Sequence, residues 1–416
     1  MAAVAAATLL ATACTGEDRP KDDATRYTLP PGPLPLVRHD PPLAFHATDR
    51  PVRLPADART GTTLLHGWYA YVAGPGSLRM VSLVDGHPVG TAGADRPGAV
   101  GTTPAFVTFI TGNVVLETCL ARAAGQDGSR AHSVVEFTAM NSLTGRTSWS
   151  FTVDLPELYD PDASFTLLGV HDDTAVVTAS DAEHSVVLAV NLWNRVPLWS
   201  HSGATGAAYV GGPTGGGQVI VLEPTDDPAD DPAGGPRRRT LTALGLERGQ
   251  LLWSSGDFSD AKVTPAGPDR MIVQSRSPGS GRNIGLLVNA ATGWQEYDFS
   301  GGPAYTCRYD ELKTVVCGAG AETTGDTSAF ALDPVTGKVL WTSQDKAPRE
   351  PMPVITAVWH GRIYGRTANG AATLDAATGS RSLQDPHLAP VLLNEFVGLS
   401  GPGGDGSELA AYVTVG

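Results

Sequence analysis

A short turn motif returns along this chain, and its spacing leaves few folds open. The clearest copy is Ala331-Leu-Asp-Pro-Val-Thr-Gly-Lys-Val-Leu-Trp-Thr342, where two apolar runs flank a Thr-Gly-Lys turn. A phosphate-binding loop is excluded. It needs a glycine five residues before the Gly-Lys pair and a hydroxyl after it, and Leu332 and Val339 stand there. The flanks alternate like strands, with no helix whose N-terminus would receive an anion. As a hairpin the residues make sense: Asp333 and Thr336 bond to turn backbone, and Gly337 takes the left-handed conformation of a bulged loop.

One hairpin is marginal alone, and the chain holds more. Related segments place their turns at Arg50, Gly86, Gly145, Arg195, Gly249, Gly293, Gly337 and Gly379, with intervals from 36 to 59 residues that average 47. A period near that value, with several strands per unit, predicts an all-β propeller. The residues before the first turn (from 42) and after the last add up to about one more period, so pairing of the two ends predicts a closed ring. The partners expected are 391–397 and 409–413 with 43–54. The expectation is eight four-stranded antiparallel blades over residues 42–416, with seven as the fallback. The 49 glycines and 32 prolines among 416 residues supply the punctuation such a fold needs. A repeating ring escapes the usual size limit because each blade needs only its neighbours.

The motif resembles the pyrroloquinoline-quinone-like (PQQ-like) β-propeller repeat, roughly Ala-x-Asp-x-x-Thr-Gly-x-x-x-Trp. Ala331, Asp333, Thr336, Gly337 and Trp341 match in full, and Ala139, Asn141, Thr144, Gly145 and Trp149 nearly so. Ala243, Gly249 and Trp253 match in part. Ala189, Asn191 and Trp199 keep the frame with Arg195 at the turn, while Gly293 and Gly379 mark two further copies. The resemblance covers residues 42–416 and implies that the tryptophans pack between neighbouring blades. Quinoprotein dehydrogenases with such repeats hold PQQ and calcium beside an adjacent Cys-Cys pair. This chain has no Cys-Cys dipeptide and no assignable metal set, so neither cofactor is expected. Similar repeats form the eight-bladed lipoprotein of the outer-membrane barrel-assembly machinery.

The first fourteen residues, MAAVAAATLLATAC, are too short an apolar run to span a bilayer but suit a signal peptide. Leu10-Ala-Thr-Ala-Cys14 resembles a bacterial lipobox, with Cys14 as the lipidated residue; an ordinary cleaved signal is the alternative. Residues 15–41, charged and then proline-rich, read as a solvated tether. Cysteine use suits an exported protein. Thr306-Cys-Arg-Tyr309 and Lys313-Thr-Val-Val-Cys317 read as adjacent strands, and Cys307 and Cys317 are equidistant from residue 312. They should oppose each other within disulfide range. Cys119 reads as a buried spare.

Lys+Arg total 29 against 43 Asp+Glu, a net charge of −14 with no basic stripe, which argues against nucleic acid and against docking on anionic lipid. Gly401-Pro-Gly-Gly-Asp-Gly406 satisfies G-x-G-x-x-G but lies between strands, without the helix a dinucleotide site needs. The loop 223–239 carries Asp226, Asp227, Asp230 and Asp231 followed by three arginines, without the glycine pivot of an EF-hand loop. His171-Asp-Asp173 reads as a turn. No metal or catalytic set emerges. The expected protein is a monomeric, non-enzymatic, lipid-anchored propeller that binds or scaffolds a protein or cell-envelope ligand outside the cytoplasm. A quinoprotein oxidoreductase and a ligand-sensing ectodomain are the alternatives.

Overall fold

The computed structural model describes residues 36–46, 51–94, 100–124, 131–158, 163–181, 183–204, 206–210, 217–224, 238–277, 280–320, 327–345, 352–401 and 408–415. Cys14, residues 1–35, the turn at Arg50, the four aspartates of the 223–239 loop and most of the Gly401–Gly406 segment lie outside them. Among the described residues there is no α-helix, only strands and two 3-10 turns.

The strands form successive antiparallel sheets in chain order. The first contains Thr63–His66, Tyr69–Gly74, Ser77–Ser82 and Pro88–Gly93. The second contains Val100–Gly101, Ala105–Phe109, Gly112–Ala123, His132–Asn141 and Thr147–Leu155. The third contains Ser164–His171, Thr174–Ser180, Ser185–Asn191 and Val196–Ser202. A seven-stranded sheet follows, because the strand Leu251–Pro265 pairs through its first part with Arg238–Gly245 and through its last part with Arg270–Arg276. It thus comprises two four-stranded units that share one strand. Then come a four-stranded sheet, Thr306–Tyr309 to Val339–Thr342, and a three-stranded one, Val354–Trp359, Arg362–Thr367 and Gly370–Asp375.

The last sheet joins both ends of the chain. Ala410–Val415 pairs on one side with Val397–Ser400 and on the other with Ala44–Phe45 (Ala44 opposite Val415) and Val52–Arg53. This is a β-propeller: short sheets following one another, closed by pairing of N- and C-terminal strands, with no open seam between them.

Two details depart from the sequence reading. Not every unit has four strands. After Gly379 the chain makes one isolated bridge, Leu374 with Arg381, and then turns away, so the sheet beginning at Val354 stops at three. The segment assigned to the tether also docks on the ring from residue 36 onward. Leu36 packs against the core of the first and last sheets, His39 N–H donates to Glu395 C=O at 2.7 Å, and Asp40 accepts from Trp359 Nε1 and bonds His360.

The repeat motif explains how neighbouring sheets adhere. Each described turn position is left-handed, from φ 60° at Arg195 to 77° at Gly86. At the best copy, Asp333 Oδ1 accepts from the amides of Val335 and Thr336, and Gly337 N–H donates to Asp333 C=O. A register shift follows at Ala331/Leu332, so Trp341 sits opposite Ala331. The same pairing recurs as Ala139 with Trp149, Ala189 with Trp199 and Ala243 with Trp253, and all four alanines are fully buried. A methyl there leaves room for the indole on the adjacent strand.

Three indoles then reach the next sheet in the same way. Trp199 Nε1 donates to Leu246 C=O (2.6 Å), Trp253 to Ala290 C=O (2.8 Å) and Trp341 to Ala376 C=O (2.8 Å). Each acceptor lies three residues before a turn glycine. A Cβ placed on those glycines, Gly249, Gly293 and Gly379, would come within 2.7–2.8 Å of the indole. Glycine is therefore required twice, for positive φ and for contact with the ring. Where the first sheet has Gly90 in place of a tryptophan, its backbone lies directly against Gly145.

Cys307 and Cys317 pair in register with Cα atoms 4.0 Å apart, and their sulfurs are bonded. Cys119 is buried and free. Intact mass without reductant should therefore show one disulfide, and Cys307→Ser with Cys317→Ser should lower stability by roughly 2–3 kcal/mol for so short a loop. Two free thiols at 307 and 317 in the protein purified without reductant would contradict this pairing.

Candidate binding surface

Because strands alternate in direction, the first and third turns of each unit fall at one end of the ring. Backbone bonds join them: Leu83 N–H to Trp68 C=O, Leu192 N–H to Asp173 C=O, Ala290 N–H to Asp269 C=O and Ala376 N–H to Gly361 C=O. The turns at this end are short, and several carry large apolar side chains into solvent. Ile110 is 104% exposed, Trp294 75% and Trp193 56%, with Leu143, Leu312 and Val335 also exposed. Turn tips are normally polar, so apolar residues repeated at one end of the ring mark a surface that favours contact.

Two groups stand out by position. Ile110, Leu143 and Trp193 come from the turns of the second and third sheets, and Trp294, Leu312 and Val335 from those further round the ring. Trp193 of the first group lines a cavity of about 310 Å³, together with Phe109, Asn113, Asn141, Trp149 and Arg195, among others. The rings are in mutual contact: Phe109 lies 6.4 Å from Trp149 and 6.1 Å from Trp193, centroid to centroid.

The cavity exists because the inter-sheet staple is broken here. Where Trp199, Trp253 and Trp341 meet a glycine, Trp149 meets Arg195, whose guanidinium carbon lies 5.6 Å from the ring centroid. The indole N–H of Trp149 finds no acceptor among the described residues. Arg195 makes no ion pair among the described residues, so its charge faces the cavity entrance together with the indole. Asn141 Oδ1 is occupied by its own turn, accepting from Leu143 N–H, Thr144 N–H and Thr144 Oγ1. The arrangement can hold one flat or apolar side chain against aromatic faces, with a cation beside it; Arg195 is the charged residue of its lining, and the hydroxyl residues Thr111 and Ser148 also border it.

The structure distributes the residues singled out in the sequence between two roles. Ala331, Asp333, Thr336, Gly337, Trp341, Ala139, Trp199, Gly249, Trp253, Gly293 and Gly379 build turns and staples. Asn141 and Trp149, placed in the same structural class, also line the cavity, whereas Gly145 keeps its turn and packs on Gly90. The sequence signal was present in Arg195, the one described non-glycine among the turn positions, but its consequence for Trp149 needs the neighbouring sheet. Phe109 and Trp193 carry no motif and were missed.

His171 and Asp173 sit at the expected turn, with Asp172 at φ 49°; Asn191 Nδ2 donates to Asp173 at 2.8 Å. Glu223, at the edge of the acidic loop, bonds His201 Nε2 (2.7 Å) and Thr242 Oγ1. Among the described residues, no three His, Cys, Asp or Glu side chains converge as metal ligands.

No family model matches the chain. No curated protein matches it in sequence. Among solved structures, the chain is similar to BamB from Moraxella catarrhalis, with 15% identity and a TM-score of 0.46 over 88% of this chain and 96% of that one. It is also similar to Sqt1 of Saccharomyces cerevisiae (10%, 0.49, 91% and 100%) and to the β-propeller domain of the Trilobed protease from Pyrococcus furiosus (10%, 0.43, 81% and 99%). These are likenesses of chain course and bring no activity with them.

Proposed function

We propose that this chain is a non-enzymatic, lipid-anchored extracytoplasmic propeller of eight PQQ-like blades that holds a protein partner on the end of the ring carrying Ile110, Leu143 and Trp193. The observation that supports it is the open aromatic cavity between the second and third sheets. Interface energy concentrates in a few buried aromatic and arginine contacts, and this site supplies two indoles, a phenyl ring and a guanidinium around one pocket. A partner side chain that is apolar or aromatic, next to a carboxylate, matches it. Residues 1–14 and Cys14 would supply the anchor, and residues 15–35 the spacing from the membrane.

Crosslinking in the native envelope followed by mass spectrometry identifies the partner. Trp193→Ala should then weaken capture at least tenfold while leaving the melting temperature within about 2 °C, since an exposed turn side chain contributes little to folding. Unchanged capture with crosslinks mapping elsewhere would refute this site. Cys14→Ser should release the protein from membranes. The quinoprotein alternative is tested by adding PQQ and calcium and following dye-linked alcohol or sugar oxidation; cofactor-dependent turnover would replace the binding reading.

A further inference from the structure

The three-stranded sheet leaves a cleft where its fourth strand would lie. The cleft has a volume of about 900 Å³ and is lined by Gly370–Thr373 on one wall, by the segment from Arg381 to His387 on another, and by Ala44, Phe45 and His46 of the last sheet. Other units fill this position with a strand, such as Val196–Ser202 or Val339–Thr342. Here the chain starts along that course. Asp375 N–H donates to Ser380 C=O, and Ser382 N–H to Thr373 C=O, both at 2.9 Å. It then departs: Leu383 is fully exposed, and Pro386 C=O accepts instead from Phe45 N–H.

Those bonds fix which groups face the cleft. Thr373 and Asp375 point their backbone outward, so Ala371, two residues earlier, does the same. The amide of Thr373 and both backbone groups of Ala371 therefore line an edge left unpaired among the described residues. Thr373 itself is only 2% exposed, and its Oγ1, buried in the sheet face, has no hydrogen-bond partner among the described residues. Gly370, Ala371 and Ala372 leave space above the edge. Arg381 meets no carboxylate among the described residues, and Asp385 is already paired with His387 at 3.3 Å.

We propose that this edge binds an extended segment of a partner chain as the missing fourth strand, with an acidic side chain of that segment against Arg381. Backbone groups in a strand register are satisfied by another strand and by little else, which is the basis of recognition by strand addition. The four-residue edge spans roughly 13 Å at strand spacing, and its three free groups allow three ladder bonds. The proposal rests on the reading of this propeller as a protein-binding one and adds a second, backbone-read site to it, on the outer edge of a sheet and away from the aromatic cavity.

The probes are synthetic hexapeptides: Thr-Val-Thr-Val-Thr-Glu, the same peptide ending in lysine, and one with proline at the fourth position. On the full chain, the acidic peptide at millimolar concentration should slow amide hydrogen exchange at Ala371 and Thr373 by at least tenfold, the lysine peptide less, and the proline peptide not at all. Ala371→Pro, which removes an outward amide, should abolish the response. Arg381→Glu, an exposed change that leaves the edge intact, should invert the charge preference. The proposal is overturned if these amides are already slow to exchange in the free protein, or if no peptide slows them in either background. A dead edge together with partner capture that still depends on Trp193 would leave the function above standing and remove this inference alone.

Discussion

Trp341→Ala should destabilise the protein by about 3–5 kcal/mol, whereas Trp149→Ala should cost clearly less. The Trp341 side chain is 5% exposed, stacks over Gly379 of the next sheet and donates to Ala376 C=O at 2.8 Å. Removing it opens a cavity between two sheets and strands a buried carbonyl. Trp149 occupies the same register but borders a cavity already open to solvent, with Arg195 across from it and no acceptor for its N–H among the described residues. Gly379→Ala should act in the same direction as Trp341→Ala, because it forces a Cβ into positive φ and into the indole at once. Urea titrations of the three variants decide the matter. Equal losses at Trp341 and Trp149 would mean that the staple is not what holds adjacent sheets.

Glu117→Gln should stabilise the protein at pH 8 and flatten its dependence on pH. Glu117 lies in the strand Gly112–Ala123, opposite Thr138, and is 1% exposed; neither carboxyl oxygen has a hydrogen-bond partner among the described residues. Its neighbours along that face are Val115 and Met140, packed on Tyr71 and Met80 of the first sheet, and Cys119 and Val134, packed beside Ala94. The charged groups that reach it are Glu136 of the adjacent strand and Arg79, which is itself paired with Asp57. Burial, then the like charge of Glu136, push its carboxyl from 4.5 up to about 8. The same burial, with both glutamates adding to it, pushes the Cys119 thiol up to about 12.

The sign follows from proton counting. Below pH 4.5 the side chain is protonated whether the chain is folded or not, and no penalty arises. Between 4.5 and 8 the folded protein keeps a proton that the unfolded chain releases, so stability falls by about 1.4 kcal/mol for each pH unit. Above 8 the loss is complete, at several kcal/mol. Glutamine keeps the shape without the charge. Thermal melts of both proteins from pH 5 to 9 should therefore diverge as pH rises. Parallel curves would show that the carboxyl is hydrated or compensated in the folded state.

How much of this was legible in the sequence depends on the range of the interaction. Asp333, Thr336 and Gly337 bond within their own turn, so their pattern announces the hairpin directly. Cys307 and Cys317 are ten residues apart across a single turn, and counting from residue 312 sufficed to place them opposite each other. The aromatic cavity escaped because Phe109, Trp149 and Trp193 come from separate turns and have no common spacing. The missing strand after Gly379 escaped for another reason. Its turn is intact, with Asp375 accepting from Thr378, and only the course of the chain beyond Ser382 shows that the motif is not followed by a strand.

The amino-acid order by itself determined the repeating unit, the residue types at each turn and the placement of tryptophan four residues after the glycine. Those properties follow from backbone stereochemistry and hydrogen bonds within one hairpin. Tertiary structure decided which indoles find a carbonyl, which face a cavity, that Glu117 loses its water, and that one sheet edge stays unpaired. Each of those depends on what the neighbouring sheet presents at a distance of a few ångströms, and contacts between sheets are set by the closure of the whole ring.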